Sequence, residues 1–278
     1  MPAETALQLS QAPACYLHRG IDCIELFDYP LTAMAELREL YTELKRNGYG
    51  KLGFHSPMPR TRAFMDDGVA CFYLHDDASQ RGLSFDLLEH TLQHARQWQA
   101  DYAVTHLTYG RTDTTDPGQA ERLAAAACRR FAELSRYYEI PINVEFAAYT
   151  RTFNQPGQFI EAIARHDELA LCIDTGHTRL GANLNGRDYF ADIKTMAPYT
   201  RSMHLWNTMG NGSEHIPLHP AQDPVTGWID IEQTLQLVLA ENPAVTIIFE
   251  YPVAEVTRDI QAGYDWIKQI VNTCSLNK

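Results

Sequence analysis

The chain has 278 residues, of which 45% are hydrophobic and 21% charged, and its formal net charge is −12. This acidic balance argues against nucleic acid as the main partner, because binding to phosphates normally requires a basic surface. No apolar run approaches the roughly 20 residues of a membrane span, and the first residues lack the basic and apolar segments of a signal peptide. We therefore expect a cytoplasmic protein that does not contact a membrane.

Six cysteines are scattered along the chain without a C-x-x-C pair. Several lie in apolar stretches, where a reduced cysteine behaves as a small hydrophobic residue. A chain of this length with no sign of export does not depend on a disulfide framework, so we expect free thiols.

Strand-like apolar segments alternate with helix-like segments along the chain. The predicted strands are, in order, ALQLS, CIELFD, KLGFHSP, DYAVTHLTYG, PINVEF, LALCID, RSMHLWN and AVTIIFEY. The helices predicted after the second to the eighth strand are TAMAELRELYTELKRNG, SFDLLEHTLQHARQWQA with Ser84 as its N-cap, QAERLAAAACRRFAELSRYYE, GQFIEAIARHD, RDYFADIKTMA, IDIEQTLQLVLAEN and VTRDIQAGYDWIKQIVNTC. Only residues 11–21 separate the first two strands, so the first helical unit is short.

Continuous apolar strands that alternate with helices are typical of a parallel sheet covered by helices. Eight such units in about 250 residues predict an α/β fold of the (β/α)8 TIM barrel type. We expect one such domain over residues 1–278. A doubly wound open sheet is the competing fold, but it would usually carry a glycine-rich phosphate turn after the first strand, and the sequence has none.

Six of the predicted strands deliver a carboxylate or an imidazole at their ends. In a (β/α)8 barrel the functional groups emerge at the carboxyl ends of the strands. We therefore expect one edge of the barrel to collect His55, His106, Glu145, Asp174 with His177, His204 and Glu250. Each of these residues has an ordinary structural alternative; a strand-terminal aspartate, for example, often caps the next helix.

Taken together, these side chains favour a metal site. Burying several carboxylates side by side costs several kcal/mol per ion unless a cation compensates. Two glutamates, one aspartate and one histidine form an oxygen-rich donor set that suits one divalent metal ion. The set does not choose among Mn²⁺, Mg²⁺, Co²⁺ and Zn²⁺.

Several motifs resemble those of the xylose isomerase-like TIM barrels, from residue 20 to the last helix: RGIDCIELF, PINVEF, CIDTGH, SMHLWN, HIPL…GWIDI and IIFEY. This family includes sugar and sugar-phosphate isomerases and epimerases, inosose-processing enzymes, dehydroshikimate dehydratases and metal-dependent AP endonucleases. The resemblance implies that His177 hydrogen-bonds a substrate oxygen beside one metal ion, which is held by Glu145, Asp174, His204 and Glu250.

The same resemblance implies that the protein is a metal-dependent sugar isomerase or epimerase in which Glu145 and Glu250 move protons on opposite faces of the substrate. Abstraction of a proton next to a carbonyl needs a base, and a metal ion would stabilise the resulting enediolate. In the alternative, the two glutamates are ligands only. A metal-dependent lyase of the dehydroshikimate dehydratase type would begin with the same proton abstraction.

The AP endonuclease branch is the rival that acts on nucleic acid. His55 and His106 match further zinc ligands of that branch, but Ser213 stands where its Asp-x-His pair needs an aspartate. Together with the acidic net charge, this argues against a nuclease. His55 and His106 are therefore assigned to substrate contacts or to a partial second metal site, and His215 is assigned to a substrate contact. Trp206 follows the strand-seven histidine by two positions, and we expect it to form an apolar wall against a sugar ring.

The expected partner is a small polyhydroxylated carbonyl compound, either phosphorylated or free. The loop after His204 lacks the arginine that many epimerases place there, and Phe146 follows Glu145 where a small polar residue is usual. These departures leave the identity of the sugar open.

A non-catalytic barrel that senses a sugar is a further alternative, although all four metal positions are intact. The last helix, WIKQIVNTC, could pack against a second subunit in a homo-oligomer.

Overall fold

The computed structural model describes residues 4–9, 23–46, 50–60, 71–147, 150–212, 214–253 and 256–276. Within these ranges, parallel strands form a closed barrel in which each strand pairs with its neighbours in sequence and the last pairs with the first. The strands are β1 (Glu4–Leu9), β2 (Cys23–Leu26), β3 (Lys51–His55), β4 (Tyr102–His106), β5 (Ile142–Phe146), β6 (Leu169–Asp174), β7 (Thr200–Leu205) and β8 (Thr246–Phe249). This confirms the predicted (β/α)8 barrel.

The α-helices in the described part of the chain are α1 (Met34–Arg46), α2 (Ala78–Trp98), α3 (Pro117–Tyr138), α4 (Pro156–Ile163), α5 (Thr175–Asn185), α6 (Tyr189–Met196), α7 (Ile231–Glu241) and α8 (Arg258–Leu276). None of them is both long enough and apolar enough to cross a membrane. Residues 11–21, in which a short first helical unit was expected, lie outside the described ranges.

An additional helix, α5, begins directly after β6, where the sequence predicted only the later helix α6. Its first turn is fixed by Asp174, whose Oδ1 accepts a hydrogen bond from the backbone N–H of His177 at 2.5 Å. The segment TGHTRLGANLN contains two glycines and few apolar residues, so it lacks the pattern from which helices are predicted. The N-cap and the packing of the barrel therefore determine this helix.

Helix α2 begins earlier than predicted, and the expected N-cap at Ser84 is wrong. The N-cap is Asp77, whose Oδ1 accepts a hydrogen bond from the backbone N–H of Ser79 at 2.8 Å. Ser84 lies buried inside the helix, where its Oγ accepts a hydrogen bond from the backbone N–H of Phe72 at 2.7 Å. Ser84 directly precedes the apolar part of the helix, and for this reason the sequence pattern suggested that the helix begins there.

Cys71, Cys128 and Cys172 are buried free thiols. Cys15 lies outside the described ranges. Two cysteines belong to a buried cluster of strand residues, which comprises Cys23, Tyr102, Val104, Cys172 and Ile248. Cys172 and Ile248 come two residues before Asp174 and Glu250, so this cluster forms the layer beneath the ends of the strands.

Asp113 is a buried carboxyl group in the loop between β4 and α3, and it is only 6% exposed. Its Oδ2 accepts a hydrogen bond from the backbone N–H of Tyr109 at 3.0 Å, whereas Oδ1 has no hydrogen-bond partner among the described residues. Burial raises the pKa of Asp113 from 3.8 to about 7, although backbone N–H groups at Tyr109 and Gly110 act in the opposite direction.

We expect Asp113→Asn to gain stability relative to the parent protein as the pH rises. Between the unfolded pKa of 3.8 and the folded pKa of about 7, the folded parent holds a proton that the unfolded chain has released. The parent therefore loses stability as the pH rises through this interval. Asparagine keeps an acceptor for Tyr109 and does not titrate. Urea unfolding at several pH values should show that the free energy of unfolding of the variant, relative to that of the parent, grows by about 1–4 kcal/mol across this interval.

The matched control is Asp86→Asn, at an exposed position on α2. Its unfolding at the same pH values shows the effect of replacing an exposed carboxyl group by an amide. A difference between Asp113→Asn and the parent that is independent of pH would contradict the proton balance assigned to Asp113.

Candidate metal centre

Four side chains from consecutive strands meet at the carboxyl-terminal end of the barrel. Each offers one ligand atom, and these atoms all lie within 4.8 Å of one another: Glu145 on β5, Asp174 on β6, His204 on β7 and Glu250 directly after β8. All four are buried, and the most exposed, Glu250, is only 6% exposed. The strand register pairs Asp174 with His204, which explains part of this convergence. The structure thus brings together the four residues that the resemblance implies as ligands.

Four polar atoms of this cluster are buried without a hydrogen-bond partner among the described residues: Glu145 Oε1, Glu250 Oε2 and both ring nitrogens of His204. His204 Nδ1 lies 3.0 Å from Glu250 Oε2 and 3.3 Å from Glu145 Oε2, but these contacts are not aligned as hydrogen bonds. Each unsatisfied buried polar group costs about 1–3 kcal/mol. Three carboxyl groups and one imidazole with open lone pairs fit a divalent metal ion.

The titration behaviour of the cluster also fits a cation. Burial raises the pKa of Glu145, but His106 and His204 outweigh it and hold this pKa well below the ordinary value. Burial likewise raises the pKa of Glu250, and His204 lowers it on balance. The pKa of Asp174 is raised well above its usual value by burial and by the charges of Glu250 and Glu145. The nearby imidazoles therefore cannot compensate three ionised carboxylates, whereas a divalent cation would.

Asp174 is held by the protein through both of its oxygens. Its Oδ1 caps α5 through the backbone N–H of His177, and its Oδ2 accepts a hydrogen bond from Nε1–H of Trp206 at 2.7 Å. Each carboxylate oxygen has a second lone pair, so both contacts leave Asp174 able to bind a metal ion. From the sequence, Asp174 was either the N-cap of a helix or a metal ligand. In the structure these two roles are compatible.

Glu145 is surrounded by imidazoles. Its Oε2 lies 3.0 Å from His55 Nε2, 3.1 Å from His106 Nε2 and 3.3 Å from His204 Nδ1. His55, His106 and Glu145 form a second group that could hold a metal ion. The structure therefore places these two histidines beside a candidate ligand, and their assignment to substrate contacts stays a prediction.

Trp206 links Asp174 to two histidines at the same end of the barrel. Its side chain is fully buried and stacks on His215, with ring centroids 4.1 Å apart and planes 17° apart. The ring of His177 meets Trp206 edge-on at 5.4 Å. His215 Nδ1 lies 3.1 Å from the carbonyl oxygen of Glu250, and Nδ1–H can donate to it. The predicted contacts of Trp206 and His215 with substrate stay predictions.

Burial determines the charge of His177. Burial lowers its pKa to about 4, although Glu145 and Glu250 act in the opposite direction. The ring is therefore neutral at neutral pH, so one nitrogen can donate a hydrogen bond and the other can accept one. This suits a contact with a hydroxyl or carbonyl oxygen of a substrate.

Glu25, a fully buried residue of β2, was not among the predicted site residues, although it contacts one of them. Its Oε1 lies 3.0 Å from His204 Nε2, and its Oε2 accepts a hydrogen bond from the Tyr102 hydroxyl at 3.0 Å. The available signal was a charged residue between apolar neighbours in CIELFD. Glu25 is the third residue of that segment, so it does not stand at the end of the predicted strand, where functional groups were expected.

The model of the xylose isomerase-like TIM barrel family matches residues 17–270, so the chain belongs to this family. No curated protein sequence matches the chain significantly. Among solved structures, the fold is similar to that of a D-tagatose 3-epimerase-like protein, with 14% identity, a TM-score of 0.75 and 99% of each chain covered.

Two further solved structures share the fold. L-ribulose 3-epimerase is 17% identical with a TM-score of 0.71, and the alignment covers 99% of this chain and 96% of that one. The IOLI protein, whose structure has a binding zinc atom, is 12% identical with a TM-score of 0.68, and 99% of this chain and 97% of that one are covered. At these identities the similarities show the fold alone.

Proposed function

We propose that this protein is a divalent-metal-dependent isomerase or epimerase of a sugar, a sugar phosphate or a related polyhydroxylated carbonyl compound. The observation that carries the proposal is the buried convergence of Glu145, Asp174, His204 and Glu250, in which several polar atoms have no hydrogen-bond partner among the described residues. The similarity in fold to two structures described as sugar 3-epimerases or epimerase-like supports the same class of reaction.

One divalent ion held by these four side chains would supply the charge stabilisation that an enediolate requires. In the proposed reaction, Glu145 and Glu250 act as a pair: one removes the proton next to the substrate carbonyl, and the other returns a proton to the opposite face. His177 orients a substrate oxygen through its neutral imidazole. The burial of these groups keeps water away and strengthens their electrostatic interactions.

Two alternatives remain within the family. A lyase of the dehydroshikimate dehydratase type would use the same proton abstraction, followed by loss of water. A zinc nuclease is favoured by one observation, the group of His55, His106 and Glu145 that could hold a second metal ion. The net charge of −12 opposes it. Cytoplasmic location, a single domain over residues 1–278 and assembly into a homo-oligomer remain predictions.

Metal content and hydrogen exchange test the proposal together. Protein purified without added metal is subjected to elemental analysis, loaded with Mn²⁺, Co²⁺, Mg²⁺ or Zn²⁺, and incubated in deuterated water with ketoses, inososes or dehydroshikimate. We expect one metal ion per chain, and metal-dependent entry of deuterium at a carbon next to the carbonyl as an epimer or isomer accumulates.

The other outcomes each point elsewhere. Conversion of dehydroshikimate with loss of water would establish the lyase. Cleavage of abasic DNA with more than one metal ion per chain would establish the nuclease. Protein that binds none of these metal ions would remove the basis of the proposal.

A further inference from the structure

We propose that Glu25 is a positioning residue that holds the Nε2–H of His204, so that the Nδ1 lone pair of this histidine faces Glu145 and Glu250. The inference rests on the proposed metal-dependent function and deepens it, because it names the group that orients a ligand. Glu25 faces Nε2 of His204, whereas Glu145 and Glu250 face Nδ1. In this role Glu25 would not touch the metal ion or the substrate.

The two ring nitrogens of His204 face different carboxyl groups. Nε2 lies 3.0 Å from Glu25 Oε1, and Nδ1 lies 3.0 Å from Glu250 Oε2. Neither contact is aligned as a hydrogen bond in this structure, so the donation from Nε2–H to Glu25 belongs to the proposal and rests on the distance. A neutral imidazole has a single N–H, so only one of these two carboxyl groups can accept from it. A histidine that binds a metal ion characteristically donates its other N–H to a carboxylate or a carbonyl. Glu25 is the carboxyl group that meets Nε2, which leaves Nδ1 for the metal ion.

Glu25 is itself held in place from the neighbouring strands. The hydroxyl of Tyr102 on β4 donates to Glu25 Oε2 at 3.0 Å. Gly53 on β3 lies between them in register, as the partner of both Glu25 and Tyr102. A Cβ at Gly53 would lie 2.4 Å from the ring of Tyr102, so the glycine makes room for this contact. Residues of three adjacent strands thus fix the position of the Glu25 carboxyl group next to His204.

A different use of Glu25 would make it a metal ligand, since Glu25, His55 and His204 also form a group that could hold an ion. The contacts of His55 oppose this arrangement. Its Nδ1 lies 3.1 Å from the carbonyl oxygen of Ser56, and its Nε2 is hydrogen-bonded to Glu145 at 3.0 Å. Both nitrogens of His55 are thus engaged by the protein, and the positioning role is the one that the contacts of Glu25 favour.

The test uses zinc-loaded protein labelled with ¹⁵N-histidine, because long-range proton–nitrogen spectra show which ring nitrogen carries hydrogen. The His204 signals are assigned by their loss in His204→Asn. In the parent we expect hydrogen on Nε2 and zinc on Nδ1. Glu25→Gln keeps an oxygen acceptor and should preserve this pattern. Glu25→Met removes the acceptor, and we expect a mixed or reversed pattern with a zinc affinity lowered about 10–100-fold.

Tyr102→Phe provides a second variant that changes the volume of the barrel interior very little. It should keep the hydrogen on Nε2 and weaken zinc binding by less than Glu25→Met does. Identical spectra and zinc affinities for Glu25→Met and Glu25→Gln would overturn the inference, and so would zinc on Nε2 in the parent.

Failure of the proposed function can be distinguished from failure of this inference. If the parent binds no metal ion, the proposed function fails, and the spectra are then recorded on metal-free protein at rising pH until the His204 ring has lost one of its two hydrogens. Hydrogen on Nε2 that depends on Glu25 would still support the positioning role, and hydrogen on Nδ1 would overturn it. If zinc binds and the pattern depends on Glu25 but no substrate exchanges deuterium, only the proposed reaction fails.

Discussion

In the proposed reaction, Glu145→Gln and Glu250→Gln will each slow the interconversion of two epimers by about 10²–10⁴-fold even when the metal site is saturated. Glutamine has nearly the volume of glutamate and keeps one oxygen for a metal ion, but it cannot accept the substrate proton. The two variants should differ in deuterium exchange. Each leaves one base intact, so each should still exchange the proton of one epimer while losing exchange in the other.

The measurement follows deuterium entry by NMR from both epimers, with metal added until the rate of each variant no longer rises. Glu241→Gln, at the exposed end of α7, is the matched control and should exchange both epimers at the parent rate. A glutamate variant that interconverts the epimers at the parent rate would show that this residue is a ligand only. Two variants that lose exchange in the same epimer would contradict the assignment of one base to each face.

Gly176→Ala will destabilise the protein and weaken metal binding at the same time. Gly176 lies in the first turn of α5, and a Cβ at this position would lie 2.2 Å from the ring of Trp206. Trp206 is fully buried and cannot move without disturbing its hydrogen bond to Asp174 and its stacking on His215. Overpacking of this kind costs about 1–3 kcal/mol. Loss of a partner that orients a ligand lowers metal affinity by about 10–100-fold.

Urea unfolding of the metal-free protein and calorimetric titration with metal give the two quantities separately. Gly82→Ala is the matched control, because a Cβ at this position of α2 meets nothing within 4 Å. It should leave metal binding unchanged and raise the free energy of unfolding by up to about 1 kcal/mol, since alanine favours a helix more than glycine does. If Gly176→Ala changed neither quantity, the coupling of Trp206 to Asp174 would be wrong.

The barrel and the set of polar residues at its strand ends were predictable because both follow from simple periodic rules, whereas the choice of four candidate ligands within that set came from the family resemblance. Apolar segments of strand length alternate with helical segments, and a parallel barrel collects the residues at the ends of its strands on one face. Asp174 and His204 are adjacent in register, and Glu145 and Glu250 follow from the same rule.

The structural features that were not predicted from the sequence depend on contacts between side chains of different elements. Helix α5 is determined by the capping contact of Asp174 and not by an amphipathic pattern. The contact of Glu25 with His204 joins β2 to β7, and the hydrogen bond from Trp206 to Asp174 joins residues 32 positions apart. No local pattern specifies such pairs, because they depend on side-chain packing in the closed barrel.

The order of the strands divides the candidate site between two halves of the chain. The four candidate ligands come from β5 to β8, whereas Glu25, His55 and His106, which contact His204 and Glu145, come from β2 to β4. Either half alone would present an incomplete set of partners. A cation that binds only when both halves are in place would therefore stabilise the closed barrel relative to any partly opened barrel. The metal ion would thus increase the stability of the folded protein as well as take part in the chemistry.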